Sequence, residues 1–297
     1  MKDGYPKISI VTPSYNQGAY LEQTIQSVLQ SNYPNLEYLI IDGGSTDNSI
    51  DIIKRYENQL KYWISEPDYG QAHAINKGLM NCTGEIFNWL NSDDYLEPGA
   101  LYAIGAQFAQ PDFPDLVAGE VEIFNDKGSL EYVKHSKLTS KGLMIWEQGV
   151  TFVQPGVWMR RELIEKCGGI DEQFHYAFDW DLLIRYLYKA PKVQYLNQKI
   201  INFRYHEHSK TVRSIEKFAQ EEHRILEKIT SLSEFKGLKK IAQKKIAANL
   251  WMPQLKEIQS QPNKKLIKVY KILRQHKFQY LPIWQATLGA IKNIILE

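Results

Sequence analysis

Asp93 and Asp94 stand side by side after the apolar run Ile86-Phe87-Asn88-Trp89-Leu90 and the polar pair Asn91-Ser92. Carboxylates directly after such a strand face the crevice where an open α/β sheet exposes its ligand, and they suit a hard divalent cation with oxygen ligands. A phosphate group commonly accompanies a cation of that kind. Taken alone, the same tetrad also reads as a loop that caps the next helix, since Ser and Asp are favoured at turns and N-caps. Phe178-Asp179-Trp180-Asp181 is a second acidic cluster. In isolation it reads as a helix start, with Asp179 capping and Asp181 complementing the dipole. His206 and His208 form a third candidate set, because imidazole binds Mn²⁺ readily and Mg²⁺ rarely.

The elements that must position these groups alternate in the first hundred residues. Residues 8–11, 38–41, 62–64 and 86–90 read as strands. Between them, Leu21, Ile25, Val28 and Leu29 fall on one helix face, and Thr46-Asp47-Asn48-Ser49 opens a helix carrying Ile50, Ile53 and Tyr56. Residues 71–80 read as a third helix. Repeated β-α units joined by right-handed crossovers build a mostly parallel sheet with helices on both faces. After Pro98 the rhythm changes. Residues 120–124 and 130–133, around Asn125-Asp126-Lys127-Gly128, read as an antiparallel hairpin, and 155–159 as a strand. Gly168-Gly169 ends a short helix, 180–188 forms another, and a strand-like 201–203 precedes His206. From Ser214 the pattern is helical and Lys-rich.

At 297 residues with 43% hydrophobic side chains, the chain can build one large core domain with an appendage, which argues against disorder. Cys82 and Cys167 are the only cysteines and lie far apart, suggesting neither a disulfide framework nor a cysteine-built zinc site. No signal-peptide pattern and no uninterrupted apolar span of membrane length occurs, so a reducing, cytosolic compartment is expected. From Glu234 onward there are 13 Lys/Arg against three Asp/Glu, so a basic tail follows an acidic body. That tail reads either as a solvated helical face or as a surface for anionic lipid at the inner membrane face, worth roughly 1 kcal/mol per basic residue. Trp284, Leu288, Ile291 and Ile295 then share one helix face, suited to a membrane interface or to docking on the body. No aromatic-basic interleaving supports nucleic acid as a partner.

Four loops follow the first-half strands: Thr12-Pro13-Ser14-Tyr15-Asn16, Asp42-Gly43-Gly44-Ser45-Thr46-Asp47, Glu66-Pro67-Asp68-Tyr69-Gly70 and Asn91-Ser92-Asp93-Asp94. Each carries hydroxyl, amide or carboxylate groups where a parallel sheet presents them to one ligand. A Rossmann dinucleotide site would need Gly-x-Gly-x-x-Gly after the first strand; that turn is absent, as is a Walker A sequence.

As an ordered set, Ser14-Tyr15-Asn16, Asp42 to Asp47, Asn76-Lys77-Gly78 and Ser92-Asp93-Asp94 resemble the family 2 glycosyltransferases of the GT-A fold, over about residues 7–211. The resemblance implies an α/β GT-A domain: a Rossmann-like, mostly parallel central sheet with helices on both faces, a small antiparallel sheet in the acceptor half, and a C-terminal helical extension. The corresponding boundaries are 1–213 for the GT-A domain, divided into a nucleotide-sugar half at 1–98 and an acceptor half at 99–213, and 214–297 for the extension. The implied activity is inverting transfer from a nucleotide-diphosphate sugar to a hydroxyl of a glycan or lipid-linked acceptor, in surface polysaccharide or glycan assembly, with Mg²⁺ or Mn²⁺.

Carried onto this chain, the family pattern sets Thr12, Pro13, Tyr15, Asp42, Asp68, Asn91 and Asp93 on the donor, with Asp93 at its ribose. Asp94 and His206 fall on the metal. Asp179 falls on the catalytic-base position, where a carboxylate must accept the proton of a weakly nucleophilic sugar hydroxyl. Gln154, Trp180 and Asp181 fall on the acceptor side. Trp146, Trp158, Tyr176 and Trp180 flank these motifs, as core residues or as faces for the C–H side of a sugar ring. Three positions depart from the pattern. Phe178 replaces a Glu, Asn91 stands where Asp is frequent, and Gly43 replaces an Asp that commonly contacts uracil, which leaves the base open and Asp68 as the alternative carboxylate. The rival readings are a non-catalytic nucleotide-sugar-binding or scaffold subunit and a sugar nucleotidyltransferase, which would need a Gly-rich Arg/Lys loop after the first strand.

Overall fold

The computed structural model describes residues 4–189, 192–206 and 214–259. Strands β1 (Ile8–Ser14), β2 (Leu36–Asp42), β3 (Tyr62–Ser65) and β4 (Ile86–Trp89) alternate with helices α1 (Leu21–Leu29), α2 (Ser49–Tyr56) and α3 (Gln71–Asn81). The two-residue β5 (Tyr95–Leu96) leads to α4 (Ala100–Phe108). There follow β6 (Leu116–Asn125), β7 (Gly128–Val133), α5 (Ser140–Ile145), β8 (Val157–Arg160), α6 (Arg161–Lys166), α7 (Phe178–Lys189) and β9 (Val193–Arg204). Helices α8 (Ile215–Ser231) and α9 (Lys236–Gln259) complete the described chain.

The described strands form one sheet in the order β3-β2-β1-β4-β8-β6-β9-β5, and β7 pairs with the C-terminal half of β6, beyond the stretch that pairs with β8. Pairing is parallel for β3-β2-β1-β4 and for β6-β9, and antiparallel where β8 joins β4 to β6 and where β5 meets β9. The antiparallel strands are therefore continuous with the parallel ones. β1 is buried along its whole length, as expected of a strand covered on both faces. On α1, Leu21, Thr24, Ile25 and Val28 are buried, the one-face spacing of an amphipathic helix. On α3, Gly78 permits a close approach: a Cβ there would stand 2.4 Å from Val11 Cγ2.

Several elements differ from what periodicity suggests. Residues 154–156 form a 3₁₀ turn, so β8 starts at Val157. β9 runs twelve residues because Val193 to Leu196 pair with Leu116 to Gly119 before the apolar segment at Ile200 begins. The polar Gln194, Asn197 and Gln198 hide that strand from a hydrophobicity pattern.

Two compact units comprise Met1–Phe218 and Ala219–Glu297, with the division falling inside α8. In the second unit Ile225, Leu226 and Ile229 are buried. There the Glu222 carboxylate receives Lys245 Nζ at 3.3 Å and Asn249 Nδ2 at 3.1 Å, joining α8 to α9. No described helix is long and apolar enough to cross a membrane. The basic positions from Lys264 to Arg274 and the stripe from Trp284 to Ile295 lie outside the described residues, as does His208.

At the N-terminal ends of β1 and β2, Glu37 is buried and accepts hydrogen bonds from Ser9 Oγ, the Thr83 amide, Thr83 Oγ1 and Lys7 Nζ at 2.7–3.0 Å. Burial alone would raise its carboxyl, but the Thr83, Ser9 and Lys7 donors outweigh it and lower the pKa from 4.5 to about 2. A depressed carboxyl stabilises the fold above the unfolded value and loses that stabilisation as pH falls toward the folded one. Glu37→Gln should therefore cost on the order of 1–3 kcal/mol at neutral pH. In chemical denaturation the difference from wild type should shrink between pH 4.5 and 2; a constant difference would assign the effect to packing.

Candidate active site

The four loops after β1 to β4 are tied to one another in turn. Asn16 Oδ1 accepts the Thr46 amide and the Asn16 amide donates to Ser45 Oγ, each at 2.8 Å, joining the first loop to the second. Ser65 Oγ donates to Asp42 Oδ2 at 2.7 Å, joining the second strand end to the third. Gln71 Nε2 donates to Asn91 Oδ1 at 2.7 Å, joining the start of α3 to the fourth loop.

Within this frame several expected donor contacts are turned inward. Asp42 is fully buried, and its carboxylate accepts the amides of Gly44 and Ser45 and the hydroxyls of Ser45 and Ser65. It holds the β2–α2 loop and presents no oxygen outward. Thr12 is buried with Oγ1 on the Tyr38 hydroxyl at 3.0 Å, and Pro13 is buried beside it; of the three expected residues after β1, Tyr15 alone is exposed. Gly43 is explained by a neighbour. A Cβ at Gly43 would stand 2.8 Å from Asp68 Oδ2 and 3.1 Å from Asp68 Cγ. Asp68 is anchored by the Gly70 amide, which donates to its Oδ1 at 2.7 Å. A carboxylate thus stands at Gly43, delivered by the loop after β3.

The Asp93-Asp94 pair is divided by its environment. Asp94, expected on the metal, is 1% exposed; its Oδ1 accepts the Arg204 amide at 2.9 Å and its Oδ2 accepts Asn91 Nδ2 at 3.1 Å. Burial raises its carboxyl well above the usual range and the Asp93 charge adds to this, while the Arg204 amide and Asn91 oppose it. In this geometry both Asp94 oxygens are engaged by protein donors. An Asp at 91 would set a second carboxylate against it where Asn91 now donates. Asp93 is the more open of the two, and its Oδ2 lies 3.0 Å from His206 Nε2.

That contact spans 113 residues and is delivered by β9. β5 follows Asp94 directly and pairs antiparallel with β9, Tyr95 against Asn202 and Leu96 against Ile201. Arg204 locks the junction: its Nε donates to the Asp93 carbonyl at 3.1 Å and its Nη2 to Gln23 Oε1 at 2.6 Å. The guanidinium lies between the rings of Tyr20 and Phe124, 4.9 and 4.7 Å from their centroids. Thr24 Oγ1 holds the turn from the other side through the carbonyls of Ser92 and Asp94.

In the second half, Phe178 is buried with its ring 5.9 Å from that of Trp89, so it seats the start of α7 on the end of β4. An apolar residue suits that position. Asp179 is half-buried in the first turn of α7, and its Oδ1 accepts the Trp180 amide at 2.7 Å. Trp180 and Asp181, expected on the acceptor, belong to the interior. Trp180 is 1% exposed and donates Nε1 to the Leu143 carbonyl, while Asp181 is fully buried and ion-paired with Arg185. The same Arg185 donates to the carbonyls of Cys167 and Gly169. Gln154 is buried and its Nε2 binds Asn88 Oδ1 and the Trp89 carbonyl, joining β4 to the turn before β8.

The Glycosyl transferase family 2 model matches residues 9–168, more than half of the chain. The chain belongs to glycosyl transferase family 2. This family 2 chain is similar to an uncharacterized glycosyltransferase of Rickettsia typhi, 29% identical over 213 residues, which cover 68% of this chain and 65% of that relative. Its fold is of the GT-A type. TarS of S. aureus, residues 1–349 in complex with UDP-GlcNAc, superposes with a TM-score of 0.65 at 19% identity, covering 82% of this chain and 71% of that one. The mannosyltransferase PcManGT of Pyrobaculum calidifontis, in complex with GDP-Man and Mn²⁺, gives 0.63 at 17% identity, covering 98% and 86%.

The chemistry of Asp93 and His206 fits a divalent cation of the kind the family pattern implies. Asp93 Oδ2 and His206 Nε2 are hydrogen-bonded at 3.0 Å, and a carboxylate oxygen beside an imidazole nitrogen is a donor pair that would suit Mn²⁺ or Mg²⁺. No group of three or more His, Cys, Asp or Glu suited to a metal occurs among the described residues. Two protein ligands leave room for water and phosphate oxygens, the usual arrangement for nucleotide-bound Mg²⁺ or Mn²⁺. Arg204, Thr24 and Gln71 escaped the sequence reading; for Arg204 a signal existed in the lone charge two residues before His206. Because Arg204 supports the pair from behind, Arg204→Ala should weaken Mn²⁺ binding in the presence of UDP by roughly 10–100-fold. Arg204→Lys should restore little, since only a planar fork suits the Tyr20–Phe124 slot. Unchanged Mn²⁺ titrations would remove this positioning role.

Proposed function

We propose that the chain is an inverting glycosyltransferase that moves a sugar from a nucleotide-diphosphate donor to a hydroxyl of a glycan or lipid-linked acceptor. The observation that carries the reading is the Asp93–His206 pair, assembled at 3.0 Å at the end of β4. Asp93 and His206 would hold Mn²⁺ or Mg²⁺, with the His favouring Mn²⁺. When bound, the cation neutralises charge on the departing diphosphate. Asp94 and Arg204 keep the turn in place. In this reading Tyr15 and Asp68, on the loops after β1 and β3, flank the nucleoside.

Asp179 is the base in this reading. Held on the Trp180 amide at the start of α7, it accepts the acceptor hydroxyl proton as that oxygen attacks the anomeric carbon from the face opposite the diphosphate. Aligning acceptor, anomeric carbon and leaving group in one displacement needs no covalent intermediate. The contact of Phe178 with Trp89 supports this division of labour by bringing the start of α7 to the strand that ends in the Asp93 loop.

UDP- and GDP-sugars with Mn²⁺ should raise the unfolding temperature, because ligand bound to the native state stabilises it. Asp93→Ala or His206→Ala should abolish the metal-dependent part. Asp179→Asn should keep the shift but lower nucleoside diphosphate release in transfer about 10²–10⁴-fold. Pyrophosphate release, or full turnover by Asp179→Asn, would contradict the proposal. Base contact by Asp68 makes a sharper demand. Gly43→Asp should collide with the Asp68 carboxylate, and Asp68→Ala should remove it, each weakening donor binding about tenfold or more. The double variant Gly43→Asp/Asp68→Ala should regain affinity; additive losses would show that the two positions do not share one function.

A further inference from the structure

On the transferase reading above, we infer that Trp146 is the platform on which the acceptor's sugar ring rests. Helix α5 ends in a paired C-terminal cap. The Glu147 amide donates to the Gly142 carbonyl at 2.9 Å and the Trp146 amide to the Leu143 carbonyl at 3.3 Å. Trp146 thereby takes the left-handed position of the cap, with φ 48° and ψ 56°. Gly is the ordinary occupant there, because a Cβ is penalised in that conformation. A bulky indole at such a position is an outlier of the kind that collects at ligand sites.

The side chain is as unusual as its backbone. Trp89, Trp158 and Trp180 are each 1% exposed, whereas Trp146 is 42% exposed. Its ring is stacked on Trp180, with planes 10° apart and centroids separated by 6.4 Å. Trp180 is itself fixed by its hydrogen bond to the Leu143 carbonyl. With one face on Trp180, the indole keeps exposed area for a second ring. Trp180 also follows Asp179, and its amide orients the Asp179 carboxylate. One buried residue therefore sets both the exposed indole and the proposed base.

A flat, rigid, partly exposed indole suits the apolar C–H face of a pyranose, while the ring's hydroxyls remain at its edge for hydrogen bonding. The aromatic role suggested for Trp180 thus passes to Trp146, the exposed member of the stack. Packing on Trp180 accounts for part of this residue, but a Gly would close the same cap without strain, and the residue stays 42% exposed.

Immobilised α- and β-hexopyranosides, probed with the full chain in the presence of UDP and Mn²⁺, test this. Wild type should bind a subset of the pyranosides. Trp146→Gly should weaken that binding about tenfold or more, and Trp146→Phe should hold it within about threefold. The thermal shift with UDP and Mn²⁺ should be unchanged in both. Trp146→Gly relieves the left-handed backbone but loses the indole's packing on Trp180, so its binding is compared at a temperature where both variants are folded, and Trp146→Phe serves as the variant that keeps an aromatic there. Unaltered pyranoside binding by Trp146→Gly would overturn the inference, as would a wild-type chain that binds UDP but no pyranoside. Pyranoside binding that depends on Trp146 without any nucleotide shift would keep the platform and remove the transferase reading.

Discussion

The antiparallel register of β5 with β9, only two residue pairs long, is the contact on which the candidate site depends. It follows Asp94 without a gap, so wherever β9 lies, the Asp93-Asp94 turn lies at its end. Arg204 and His206 arrive there together, one to brace the turn through its backbone and one to meet Asp93. β9 is in turn held by a long parallel pairing with β6, from Leu116–Val193 to Phe124–Arg204. Precision at the site thus comes from a rigid sheet, with few degrees of freedom left to the loop itself.

Burial divides adjacent carboxylates into different tasks three times in this fold. Asp94 and Asp42 spend their oxygens on backbone amides and side-chain donors, and Asp181 spends its own on Arg185. Each fixes the loop or helix that carries a more open neighbour: Asp93 beside Asp94, Asp68 across Gly43 from the loop Asp42 holds, and Asp179 on the helix that Asp181 and Arg185 tie to residues 167–169. A buried ion pair contributes little net stability but is costly to break from one side. Such anchors therefore act chiefly on position.

The parallel half of the sheet was legible because β1, β2 and β4 are apolar runs bounded by Gly-, Asn- and Asp-rich loops. The family set also read correctly from short motifs in order. What the pattern could not show was which residue of a motif faces outward. Some of this was recoverable: Trp180, Ile184 and Leu187 fall on one helix face, and Asp181 and Arg185 are a favourable i, i+4 pair. The apolar spacing marked Trp180 as interior, and the pair marked Asp181 as already engaged by Arg185. The Asp68–Gly43 and Asp93–His206 contacts were not recoverable, because they depend on register between strands far apart in sequence. Trp146 at a left-handed cap contradicts local preference, which is where sequence reasoning is expected to fail near a ligand site.

The central claim is that β9 completes a cation site by bringing His206 to Asp93. Pulsed electron paramagnetic resonance on Mn²⁺ bound with a nucleoside diphosphate tests it most directly, because a coordinated imidazole nitrogen modulates the echo. We expect a ¹⁴N coupling in wild type that disappears in His206→Ala while Mn²⁺ still binds more weakly. Absence of any nitrogen coupling in wild type, or its persistence without His206, would contradict the account.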